Sequence, residues 1–114
     1  MSTATWHINI DRKKETALIP RQTGKKFEWI EAGTEAGAEL LEKGGIDEFY
    51  VGHSELVFFK MKRRKDGNWV AHWEGEKSEP DMTFVLGKSR AINYKRIDQA
   101  WRYFLKERER SSNA

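Results

Sequence analysis

The chain has no cysteine, only two prolines and only three histidines in 114 residues. Each scarcity excludes a kind of chemistry. Without cysteine there are no disulfides, no thiolate metal ligands and no cysteine nucleophile, so stability has to come from packing. His7, His53 and His72 are scattered and lack the i, i+4 or short-loop spacing that converges on a metal ion, so neither a metal nor a cofactor is expected. No apolar run approaches the roughly 18 to 20 residues of a membrane span, and the opening MSTATWHINI lacks the positive start and apolar core of a signal peptide. A soluble cytoplasmic protein without a membrane partner is the expectation. Gly24-Lys25-Lys26 is not a phosphate loop, because the upstream glycine is missing and no Ser or Thr follows the lysine. His53-Ser54 is a poor nucleophilic pair, since adjacent strand residues point to opposite faces and no orienting acid is identifiable. With no catalytic residues to name, the chain reads as a non-enzyme.

Charge and aromatic rings are what the chain has in quantity. Charged residues make up 34% of it, and five Trp, six Phe and three Tyr supply a core of few, large side chains. The length fits one domain that buries roughly two-thirds of its unfolded surface; residues 1–110 are assigned to it and 111–114 to a frayed tail. Net charge is +3 but unevenly placed: residues 31–57 sum to −6 and residues 58–114 to +6. Such asymmetry orients a protein in the field of a polyanion, and serves equally to join two halves of a fold or two subunits.

Residues 5–10 alternate Trp6, Ile8 and Ile10 with His7 and Asn9, the pattern of a half-buried strand. After a charged turn, residues 16–19 predict a return strand that ends at Pro20, which cannot donate a ladder hydrogen bond. Residues 25–30 are a shorter candidate strand with Phe27 and Trp29 on one face. Thr34 is a plausible N-cap for a short acidic helix with Ala36, Leu40 and Leu41 as its apolar stripe, Gly37 as a weak point and Gly44-Gly45 as its end. Residues 49–51 are again extended, and residues 82–86 form a strand after a loop containing Pro80. Ile97, Ala100, Trp101, Phe104 and Leu105 fall at i, i+3, i+4, i+7 and i+8, which predicts a C-terminal amphipathic helix capped by Asn93.

The most informative stretch is LVFFKMKRRKDGNWVAHWE, residues 56–74. It alternates like two strands around Asp66-Gly67, a strong hairpin signal because tight hairpin turns need the positive φ that Gly tolerates best. Lys60, Lys62, Arg63, Arg64 and Lys65 lead into that turn. Alternation places Val57, Phe59 and Met61 on one face and Phe58, Lys60 and Lys62 on the other, with His72 on the same side of the returning strand. Rings beside cations are the equipment of single-stranded nucleic-acid platforms. The bland alternative is a face covered by a helix, with lysine stems running along its edge. Arg90, Lys95 and Arg96 form a second basic patch at the start of the last helix.

The element order, strand, strand, helix, three strands, helix, indicates an α+β fold: an antiparallel sheet with a basic hairpin, a short acidic helix, and the C-terminal helix packed on the sheet. The functional expectation is a small accessory or regulatory protein that binds DNA or RNA mainly through phosphates. Its contacts would be Lys60, Lys62, Arg63, Arg64, Lys65, Arg90, Lys95 and Arg96, with Phe58 and His72 as stacking positions. The alternative is a protein-interaction module, an inhibitor or assembly factor of the kind mobile elements encode, whose charged surfaces meet a protein partner. A homodimer is compatible with either.

Overall fold

The structure, a computed structural model, describes residues 6–53, 56–75 and 81–112. Thr5, Ser54, Glu76 and Pro80, which figure in the expected elements, lie outside the described residues. The order is β1 (His7–Asp11), β2 (Thr16–Thr23), β3 (Lys26–Glu31), α1 (Glu35–Lys43), β4 (Glu48–His53), β5 (Leu56–Arg63), β6 (Trp69–Trp73), β7 (Met82–Gly87), a 3₁₀ turn (Ser89–Ala91) and α2 (Tyr94–Ser112). The fold is α+β, with all seven strands in one sheet ordered β3-β2-β1-β4-β5-β6-β7.

Three features depart from the expected layout. The sheet is not wholly antiparallel, because β1 runs parallel to β4, with His7 opposite Tyr50 and Ile8 opposite Val51. A parallel junction requires a crossover between its strands, which β2, β3 and α1 together supply. β3 is a full strand, paired with β2 over six residues, so three strands precede α1 and four follow it. β2 also passes through Pro20 instead of stopping there. Ala32 donates to the carbonyl of Ala17, so β2 bonds β3 through its odd-numbered residues and turns the even ones toward β1. Pro20 thus faces β1 just beyond Leu18, the last β2 residue paired with that strand, where its missing N–H breaks no bond.

One core lies on one face of the sheet. Ile8, Ile10, Ala17, Ile19, Phe49, Val51, Phe59, Met61, Trp69 and Ala71 alternate onto it from the strands. Leu41 of α1 and Ile97, Ala100 and Phe104 of α2 close it from above. The C-terminal helix therefore packs on the sheet, with Asn93 Oδ1 accepting from the Arg96 N–H at 2.9 Å to cap it. Its stripe is narrower than the sequence pattern, since Leu105 stays exposed while Tyr103 packs against Phe84.

α1 starts as its sequence predicts: Thr34 Oγ accepts from the Gly37 N–H at 3.1 Å, while its hydroxyl donates to the Glu31 carbonyl at 2.6 Å. Gly37 is a necessity here more than a weakness, because a Cβ at this position would sit 2.3 Å from the Glu31 carbonyl oxygen. Gly→Ala in a helix interior ordinarily stabilises by roughly 0.5–1 kcal/mol. Gly37→Ala is expected to do the opposite and cost about 1–3 kcal/mol, as overpacking against backbone does. A lower urea midpoint at unchanged slope would show it; a higher midpoint would mean that α1 can lift from β3 at no cost.

Candidate nucleic-acid interface

The other face of the sheet carries no helix among the described residues. Strand register lays a row across it: Trp29 beside Pro20 at the β3 edge, then His7, Tyr50, Lys60, His72 and Thr83 in successive strands from β1 to β7. The rings of His7 and Tyr50 lie 5.4 Å apart, and the Lys60 ammonium sits 5.7 Å from the Tyr50 ring centre. Phe27 and Trp29 stack edge to face at 5.2 Å and remain 52% and 42% exposed. Rings of this size left in water on a sheet surface offer flat faces for stacking. A second row, Glu48, Lys62, Val70 and Val85, runs alongside toward the hairpin end.

The expected contacts divide by what the fold has already done with them. Lys60 pairs with Glu74 at 3.1 Å and approaches Glu48 at 4.0 Å; the hydrogen bond to Glu74 holds its pKa above the ordinary lysine value, against the pull of desolvation. Lys62 stands on the open face with no ion pair among the described residues, and Arg64 and Lys65 are exposed at the hairpin tip. Arg63 points to the helix side instead. It donates to the carbonyls of Leu41 at 3.3 Å and Glu42 at 2.8 Å and to Asp47 at 2.5 Å, closing the C-terminus of α1. Arg96 is likewise spent, on the carbonyls of Leu86 and Val85 and on Gln99. Arg90 borders Glu35, Glu39 and Glu42 of α1, and Lys95 is exposed in the first turn of α2, so this second patch does not join the open face.

Phe58 is not where alternation places it. Val51 pairs with Phe59 while the next residue, Gly52, pairs with Val57, so Phe58 is the extra residue of a β-bulge. The bulge turns its ring toward α2, where it lies 4.4 Å from Trp101 with the Arg12 guanidinium 5.3 Å from its centre. His72 does face the open side, opposite Lys60. The hairpin tip also differs from a two-residue turn. Gly67 donates to Arg64 and Arg64 to Asn68, which encloses Lys65, Asp66 and Gly67, and of these only Gly67 takes positive φ. The Asn68 backbone and side chain, with Lys88 and Arg64 nearby, hold the Asp66 carboxyl below its usual range. Lys88 also donates to the Asp66 carbonyl, tying the tip to the end of β7.

His7, Tyr50, Phe27 and Trp29 escaped the site expectation. Their signal was present in the alternation of β1 and β3, but which strands lie beside β5 was not. No group of three or more His, Asp or Glu side chains among the described residues is placed to hold a metal ion, and no described helix is long and apolar enough to cross a membrane. No protein-family model, curated protein or solved structure matches the chain.

Proposed function

We propose that this protein binds single-stranded nucleic acid on the helix-free face of its sheet, with bases on the rings of His7, Tyr50 and His72 and phosphates on Lys62, Arg64 and Lys65. The observation that carries this reading is the row of three rings and one cation, His7, Tyr50, Lys60 and His72, laid across adjacent strands on the face opposite both helices. Stacking requires unpaired bases, which favours single strands. The β5–β6 hairpin is held between β4 and β7 and so is not a free ribbon for a major groove. Lys60, engaged by Glu74, contributes position more than free charge.

The test is fluorescence anisotropy with labelled DNA and RNA single strands of about 12 nucleotides, a length within the usual range of such sites, beside a duplex, at two salt concentrations. Tyr50→Ala is expected to weaken single-strand binding by about 1–3 kcal/mol. The Lys62→Ala, Arg64→Ala, Lys65→Ala combination is expected to flatten the dependence of log K on log salt by about 2, since each phosphate contact on a single strand contributes roughly 0.7. Duplex bound as tightly as single strands would move the site off the sheet face. No binding at low salt would overturn the reading and turn the search to a protein partner.

A further inference from the structure

We infer that the single-strand site continues past His7 to the β3 side of the same face, where Trp29 takes a base and Lys25 a phosphate, so that its ligand is a strand long enough to cross the sheet from β6 to β3. The inference rests on the reading of the open face given above and extends it. Of the five tryptophans, Trp69 is fully buried, Trp6, Trp73 and Trp101 pack against the core, and Trp29 alone is exposed. Register sets Trp29 on the face of His7 and Tyr50. Ile19 is buried in the core and pairs with Ile30, so their strand neighbours Pro20 and Trp29 turn to the other side. Phe27 braces the indole edge to face at 5.2 Å and leaves it 42% exposed.

Charge selects the occupant. From Pro20, β2 advances to the turn at Gly24 and Lys25; from Lys60, β5 advances to the tip at Arg64 and Lys65. β1 is antiparallel to β2 and parallel to β4, and β4 is antiparallel to β5, so both turns lie at the same end of the sheet. Lys25 is exposed and joins no ion pair among the described residues, whereas Lys26 is held by Glu28 at 3.0 Å. Between the two turns, the Glu48 carboxylate on this face is approached by Lys60 at 4.0 Å. A line of rings with free cations along one side matches a strand whose bases lie on the row and whose phosphates follow that end of the sheet. Trp29 and His72 are five strand intervals apart in the order β3-β2-β1-β4-β5-β6, about 24 Å at the usual strand spacing. A stacked strand advances roughly 3.4 Å per nucleotide, so about eight nucleotides cover the row. Without Trp29 the row ends at His7, two intervals and about three nucleotides sooner.

Labelled oligothymidylates of about 4–14 nucleotides, read at low salt by anisotropy and by tryptophan fluorescence, test the extension. Wild-type affinity is expected to rise with length to about eight nucleotides and then level off, with fluorescence quenched because the exposed tryptophan lies under a base. Trp29→Ala is expected to weaken binding of the 12-mer roughly tenfold, to abolish the quenching and to reach its plateau about three nucleotides sooner. Lys25→Ala is expected to flatten the dependence of log K on log salt by about 0.7. Quenching that is absent, a Trp29→Ala affinity within about twofold of wild type, or a plateau at the wild-type length would each overturn the extension. If Tyr50→Ala still weakens the 12-mer in that event, the open-face reading stands without it. No binding by the wild-type chain at any length would overturn both.

Discussion

Replacing Trp69 with alanine is expected to lower the stability of this protein by about 3–5 kcal/mol, the range for removing a large aromatic ring from a well-packed core. Trp69 is fully buried and joins four parts of the fold. It extends from β6, packs 5.8 Å from Phe49 of β4, lies beneath the Arg63 guanidinium of β5 at 5.9 Å, and donates Nε1 to Ser89 Oγ of the 3₁₀ turn at 3.2 Å. Alanine opens a cavity at the junction of these elements and leaves the buried Ser89 hydroxyl without its donor. A thermal midpoint lower by roughly 10–20 °C is the corresponding scale for a domain of this size. Trp69→Phe is the milder change: it keeps one of the two fused rings, loses the hydrogen bond to Ser89 and leaves a smaller gap, so it is expected to cost about 1–3 kcal/mol. A loss below about 1 kcal/mol in the alanine variant would show that the core closes over the gap.

The strands and the last helix were legible because each has a periodicity of its own. The β5–β6 hairpin, the cap of α2 by Asn93 and the start of α1 at Thr34 all follow from local residue choices, and the structure contains each of them. What could not be read was set by the identity of neighbours. Nothing local in His7 or Tyr50 says that β1 will lie parallel to β4, yet that junction brings the two rings together. Pro20 looked like a strand end because its missing N–H matters only if a partner needs it, and the β1 ladder stops at Leu18.

The site was partly legible for the same reason. Lys60, Lys62 and His72 share a face because strand alternation holds across most of the hairpin. Phe58 left that face because a single inserted residue reverses the alternation, and the bulge depends on how Gly52 meets the next strand. A Cβ on Gly52 would lie 2.2 Å from the Leu56 carbonyl oxygen, so the close approach uses that glycine. Sequence charge alone could not separate cations that solvate a tip from cations that hold the fold, since both appear as the same run, KRRK.

That distinction gives the second large effect. Arg63→Ala is expected to destabilise the protein by about 2–3 kcal/mol while leaving the single-strand affinity of the folded fraction within about twofold of wild type. Hydrogen bonds from a charged donor are worth roughly 1.5–3 kcal/mol each, and Arg63 makes them to two α1 carbonyls as well as to Asp47. The exposed Asp47 pairing adds little, because surface ion pairs are worth about 0–1 kcal/mol. Most of the loss therefore comes from the α1 terminus, where the Leu41 and Glu42 carbonyls would lose their donor. Arg63→Lys is not expected to rescue it, since an ammonium cannot span two carbonyls and a carboxylate as the planar guanidinium does. Arg64→Ala and Lys65→Ala should show the reverse, an unchanged unfolding midpoint with a smaller salt slope, since both side chains are exposed at the tip. Urea unfolding and anisotropy on the same preparations separate the cases. Should Arg63→Ala weaken binding as much as Arg64→Ala with no shift in midpoint, Arg63 would have to leave α1 for the nucleic acid, and the division between structural and binding cations would fall.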